Sequence, residues 1–219
     1  VRIACVHGLG GTALTMAPLA TALGARGHDV ATATLPGHGT RPEDLLDVTW
    51  ETWLAAVPAA DVLVGQSMGA NLSLAAAAQR PEVGAVVAIN PLAPDPDAVE
   101  GLRWRMERGA TWTDAPPADP GEAAYDRLPL GALLEMTDGV LATDLAAITQ
   151  PVVLVTSLRD DVVDPAAGTI VARALRGPVE HVHLPGSGHV ATLGPELDLI
   201  VGAVDRLLAR LSRGSSPRR

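Results

Sequence analysis

With 219 residues, 47% of them hydrophobic, the chain is long enough for one well-filled domain, and its 22 glycines and 18 prolines suit a globular α/β protein with many tight turns. A formal charge of −9, from 16 basic and 25 acidic side chains, speaks against a nucleic-acid or anionic-membrane surface. The lone Cys5 excludes an internal disulfide framework, and no apolar run of about 18 residues or charged-then-apolar leader is present, so a soluble cytoplasmic protein is expected.

Residues 1–6 read as a short apolar strand of the kind buried on both faces of a parallel sheet. The strand runs into His7-Gly8-Leu9-Gly10-Gly11-Thr12, after which Leu14, Leu19, Ala22 and Leu23 fall at helical spacing within 13–26. A second strand over 30–35 ends at Pro36-Gly37-His38-Gly39-Thr40, and Trp50, Trp53, Leu54 and Val57 mark a helix stopped by Pro58. Residues 61–64 form a third strand, 70–79 an alanine-rich helix, and 83–89 a fourth strand ended by Asn90-Pro91. From 92 to about 141 the alternation lapses, leaving only short helices at 98–108 and 130–136 and no comfortable strand. It returns as strand 152–156, helix 165–175, strand 179–184 and an amphipathic helix over 195–211. Strands alternating with helices imply a parallel sheet of about six strands in one domain over 1–212. The segment 92–141 is then an insertion above the carboxyl edge of the sheet, where ligands bind in such folds. The Gly-Ser-Pro-Arg tail at 213–219 reads as disordered.

Between the third strand and its helix stands Gly65-Gln66-Ser67-Met68-Gly69. A sharp strand-to-helix turn crowds the positions two before and two after the serine, so both must be glycine, and the serine hydroxyl is left exposed. A serine hydroxyl needs a histidine to take its proton and a carboxylate to orient that histidine. Of six histidines, His189 follows the last strand and precedes the final helix, so it emerges at the same sheet edge as Ser67. His7 and His38 lie in turns before the serine, and His7 is expected to brace its loop. His28 lies at a turn; His181 and His183 share a strand face without an apparent third ligand, so no metal and no cofactor is expected. For the carboxylate, the loop after strand 152–156 offers Asp160, Asp161 and Asp164, the last simply explained as an N-cap before Pro165. An oxyanion would be met by the backbone N–H of Met68 and, from the loop after the first strand, that of Leu9.

Together His7-Gly8-Leu9-Gly10-Gly11, Leu35-Pro36-Gly37-His38-Gly39, Gly65-Gln66-Ser67-Met68-Gly69, Asp160 through Pro165, and Ser187-Gly188-His189 resemble the α/β-hydrolase superfamily, within it the bacterial carboxylesterases and monoacylglycerol lipases. The resemblance implies a three-layer α/β-hydrolase fold with a small helical cap, here without two N-terminal strands common in the superfamily. It also implies Asp160 as the acid, five residues before Pro165 with Val162-Val163 between, in a triad with Ser67 and His189. Of five aromatic residues, Trp104, Trp112 and Tyr125 fall in the insertion, where they either line a substrate pocket or pin the insertion down. The expected activity is hydrolysis of carboxylic esters with small to medium acyl groups. Alternatives are a thioesterase, a lyase or cyclase using the same residues, or a small-molecule binding protein. The expected partner is a small ester or thioester; oligomeric state is left open.

Overall fold

The computed structural model describes residues 1–118 and 121–214. In chain order it contains β1 (Arg2–Val6), α1 (Ala17–Gly24), β2 (Asp29–Ala33), α2 (Trp50–Ala56), β3 (Val62–Gln66), α3 (Met68–Gln79) and β4 (Ala85–Ile89). There follow α4 (Pro96–Glu107), β5 (Trp112–Asp114), β6 (Arg127–Pro129), α5 (Leu130–Ala142), β7 (Val152–Ser157), α6 (Ala166–Ala174), β8 (Val179–Leu184) and α7 (Leu197–Gly214). Six strands make one sheet in the order β2-β1-β3-β4-β7-β8, every pairing parallel.

The two-residue period of a strand divides the core between the faces of the sheet. Ile3, Cys5, Val62, Val64, Val87, Ile89, Val153 and Val155 meet α1 and α7, whereas Ala4, Val6, Leu63, Val86, Ala88 and Leu154 meet α2, α3, α5 and α6. This is a three-layer α/β arrangement, with helices on both faces of a parallel sheet. The central strands β3, β4 and β7 are buried along their whole length, which explains why they read as continuous apolar runs. Burying one Val or Leu side chain in such a layer stabilises by about 1.5–3 kcal/mol. Edge strand β2 is largely exposed and carries Asp29 and Thr32, residues that discourage edge-to-edge pairing. At the other edge, Glu180 of β8 pairs with Arg206 and Arg210 of α7.

The insertion between β4 and β7 holds more structure than its sequence suggests. Helix α4 begins at Asp95, whose side chain accepts from the amides of Asp97 and Ala98. Strands β5 and β6, which the sequence did not indicate, pair antiparallel with Trp112 opposite Pro129 and Asp114 opposite Arg127. Three residues per strand cannot display a period. They are held instead by the Arg127 guanidinium, 4.5 Å from the Trp112 ring centroid. Helix α5 runs past the expected residue 136 to Ala142 because Gly139 lets the Trp50 ring of α2 lie directly against it. The Trp50 amide also donates to Glu135 at 3.0 Å, fastening α2 to α5. Helix α7 continues to Gly214, and residues 215–219 of the expected tail lie outside the described residues.

The two glycines of α5 supply a matched test. A Cβ at Gly139 would overlap the Trp50 indole, whereas one at Gly131 meets nothing within 4 Å. Gly139→Ala is expected to destabilise by about 1–3 kcal/mol through overpacking. Gly131→Ala is expected to be neutral or to stabilise by up to about 1 kcal/mol. Urea denaturation of both variants reads the difference.

Candidate active site

Strand β3 delivers Ser67 into a backbone conformation of φ 55°, ψ −124°, which non-glycine residues adopt only where their surroundings compel it. The compulsion is steric. A Cβ at Gly65 would run into the Gly69 carbonyl, and one at Gly69 into the carbonyls of Val6 and His7, so α3 starts in backbone contact with both β1 and β3. The Ser67 amide donates to the Ile89 carbonyl at 2.9 Å, fixing the turn against β4.

His189 and Asp160 come from the loops after β8 and β7. The His189 Nδ1–H donates to Asp160 Oδ2 at 2.8 Å, with Oδ1 at 3.0 Å. Only 14% of the His189 side chain and 2% of the Asp160 side chain are exposed, so the pair is shielded from water. Asp160 Oδ1 also accepts from the amides of Val162 and Val163, each at 2.9 Å. Burial alone would raise the Asp160 pKa, but the hydrogen bond and charge of His189, with those two amides, outweigh it and hold the carboxyl below its ordinary range. Asp160 is therefore ionised at neutral pH and fixes the proton of His189 on Nδ1, leaving Nε2 as the basic atom. Asp164 accepts from the Ala166 amide at the start of α6, and Asp161 borders the adjoining cavity.

Ser67 and His189 line one cavity of about 340 Å³, roofed by the insertion through Leu128, Leu133 and Met136 and walled by Leu9, Leu92 and Val163. Beside it, Gly8, Leu9, Ser67 and His189 border a space of about 30 Å³, room for one water-sized group. The Met68 N–H, at the first residue of α3, has no intrahelical acceptor, and among the described residues no backbone carbonyl takes the Leu9 N–H. His7 holds the Leu9 loop: its Nε2 accepts from the Leu35 amide at 2.9 Å and its Nδ1–H donates to the Gly8 carbonyl at 2.8 Å. Burial, and then the neighbouring His38, bring the His7 pKa down to about 4, so the brace stays neutral across the working range. His181 Nε2 is engaged by Thr156 Oγ1 at 2.8 Å.

The aromatic residues of the insertion divide. Tyr125 lines the cavity while its hydroxyl donates to the Gly37 carbonyl and accepts from the Thr40 amide. Trp104 and Trp112, expected as pocket-lining candidates, are absent from the cavity wall. Trp104 is 56% exposed on α4 with the Arg108 guanidinium 3.9 Å from its ring centroid, and Trp112 carries Arg127. Both are occupied by cation–π stacking, Trp104 on the surface and Trp112 half-buried. The apolar wall that does face Ser67, above all Leu133 and Met136, lies in a helical pattern whose phase toward the site no spacing rule supplies. Sequence reading also passed over two buried carboxamides beside the site, Gln66 and Asn90. Asn90 had a signal: it follows a buried strand and precedes a proline, and Asn is among the few residues tolerating the φ of 47° found there.

The chain matches the alpha/beta hydrolase family over residues 3–198. It is 30% identical over 218 residues to the thermostable monoacylglycerol lipase of Bacillus sp. (strain H-257), spanning 92% of this chain and 87% of that one. A pimeloyl-[acyl-carrier protein] methyl ester esterase of Xanthomonas campestris pv. campestris is 30% identical over 214 residues, 81% of this chain and 83% of its own. Among solved structures, a chain from work on LipS and LipT, two metagenome-derived lipolytic enzymes, superposes with a TM-score of 0.86 at 26% identity, covering 95% of this chain and 93% of that one. Est1E from Butyrivibrio proteoclasticus with bound ferulic acid shares the fold, with a TM-score of 0.71 at 19% identity over 95% of this chain and 88% of its own.

The neutral brace at His7 has a measurable consequence. The unfolded chain takes up a proton at His7 near the ordinary value of 6.5, whereas the folded chain resists until about 4. Stability is therefore expected to fall as pH drops through that window, with the unfolded state binding more protons. In His7→Gln the slope of unfolding free energy against pH between about 6.5 and 4 is expected to be shallower, read by urea titrations at stepped pH.

Proposed function

The chain belongs to the alpha/beta hydrolase family, and from that membership and the geometry of its site we propose that it is a cofactor-independent serine esterase working through an acyl-enzyme. Ester hydrolysis in general is supported by the lipase and esterase relatives. The observation that carries the finer reading is the shielded His189–Asp160 pair, set in the cavity that Ser67 enters from a strained turn.

In this mechanism His189 Nε2 takes the Ser67 proton as Oγ attacks the ester carbonyl. Negative charge grows on the former carbonyl oxygen, which the N–H groups of Leu9 and Met68 receive. The imidazolium, stabilised by the ionised Asp160, then gives its proton to the leaving alcohol, and Ser67 keeps the acyl group. Water enters, loses a proton to His189 and attacks the acyl-enzyme. Collapse of that second intermediate returns the proton to Ser67 and releases the carboxylic acid.

Cavity chemistry narrows the substrate. An apolar wall within about 340 Å³ suits the acyl chain of a small to medium ester. Asp114, Glu122 and Asp161 also border the cavity of a chain whose formal charge is −9, which favours a neutral ester over an anionic one.

Incubation with a fluorophosphonate followed by peptide mapping is expected to place the label on Ser67, and p-nitrophenyl esters graded in length are expected to be turned over. In Ser67→Ala and His189→Ala, kcat is expected to fall by roughly 10⁴-fold or more, as when one member of a cooperating set is removed. Failure of folded protein to label at Ser67 would overturn the reading. Leu133→Trp, which fills the apolar end of the cavity, is expected to lower kcat/KM for octanoyl esters by about 10- to 100-fold while sparing acetyl esters.

A further inference from the structure

Beneath the site lies a residue that the hydrolytic steps do not use. Asn90 is 3% exposed, lies outside the cavity wall, and directly follows Ile89, whose carbonyl accepts the Ser67 amide at 2.9 Å. Its own amide donates to Val155 of the neighbouring strand at 2.8 Å. Asn90 Oδ1 accepts from the amide of Ser157 at 2.8 Å, at the last residue of β7, from which the Asp160 loop departs. Nδ2 donates to the His189 carbonyl at 2.8 Å and to Ser157 Oγ at 3.0 Å. The partners fix the orientation of the carboxamide, since the Ser157 amide requires an oxygen and the His189 carbonyl requires an N–H.

We propose that Asn90 is the positioning residue of this site, holding the strand end that bears Asp160 and the loop that bears His189 at a set distance from Ser67. The inference rests on the serine-hydrolase reading and deepens it. No other side chain meets all of its demands. Asparagine tolerates the φ of 47° found here and supplies both a donor pair and an acceptor. Aspartate keeps the shape but sets a carboxylate oxygen against the His189 carbonyl. Glycine keeps the backbone and leaves the His189 carbonyl and the Ser157 amide without their bonds. On the other flank Gln66 Oε1 accepts from the Thr192 amide at 3.3 Å and from the Thr192 hydroxyl at 3.0 Å, whereas Asn90 bonds His189 itself.

Because Asn90 does not touch the cavity, its loss should act on rate rather than on binding. In Asn90→Gly, chosen because it keeps the backbone conformation, kcat per fluorophosphonate-titrated site is expected to fall by about 10²-fold, the effect of a misplacement of about 1 Å, with KM little changed. Asn90→Asp is expected to lose at least as much. The proton between His189 Nδ1 and Asp160 should give a far-downfield NMR resonance in the wild type that broadens or disappears in both variants. That resonance and the rate of fluorophosphonate labelling need no ester substrate, so they still read Asn90 if ester turnover fails. A fall in kcat confined to the unfolded fraction, or an unchanged resonance with kcat per titrated site within about twofold of wild type, would overturn the proposal.

Discussion

Everything at the site depends on the approach of α3 to the ends of β1 and β3. Gly65 and Gly69 bring backbone against backbone where a single methyl group would overlap carbonyl oxygens. That contact forces Ser67 out of the ordinary conformational regions and turns its hydroxyl to the cavity. The strain is sustained because α3 is buried along nearly its whole length, so relaxing the turn would pull a helix out of the core. Core packing and the exposure of a reactive group are thus one arrangement seen from two sides.

From that point outward the loops of the site are braced largely by hydrogen bonds between side chains and backbone. His7 spans the Leu35 amide and the Gly8 carbonyl, Asn90 spans Ser157 and His189, and Glu196 takes both the Gly186 amide and the Ser187 hydroxyl of the loop leading to His189. Buried carboxamides and neutral imidazoles make suitable struts, because each is satisfied by peptide groups and none carries charge into the interior. The Asp160 carboxylate is accompanied by an imidazole and two amides that together stabilise its charge.

The insertion follows a different logic. It closes the cavity with aliphatic groups from β6 and α5 while its tryptophans lie off the cavity wall, stacked with arginines. Its attachments run to the parts that matter for the reaction proposed. Tyr125 ties it to the Gly37 and Gly10 carbonyls, and Glu135 ties it to the start of α2. The shape of the cavity and the position of the Leu9 loop are therefore mechanically linked through Tyr125, whose amide meets the residue next to Leu9.

Sequence by itself determined the sheet, because β3, β4 and β7 are buried on both faces and must be continuous apolar runs, and it marked Ser67, because its two glycines answer a local steric demand. The loops that carry Asp160 and His189 were also legible, since in a parallel sheet every strand's carboxyl end opens on the same edge. Three carboxylates stood in one of those loops, and only the spacing before Pro165 that the resemblance implies singled out Asp160. Geometry shows Asp160 alone bonded to His189, with Asp164 turned back to the start of α6. Tertiary structure also decided which face of α5 looks into the cavity, that β5 and β6 pair, that Trp104 and Trp112 lie outside it, and that Asn90 spans two loops. The last of these depends on partners remote in the chain, 67 residues from Asn90 to Ser157 and 99 to His189, and no local pattern records what will arrive from so far away.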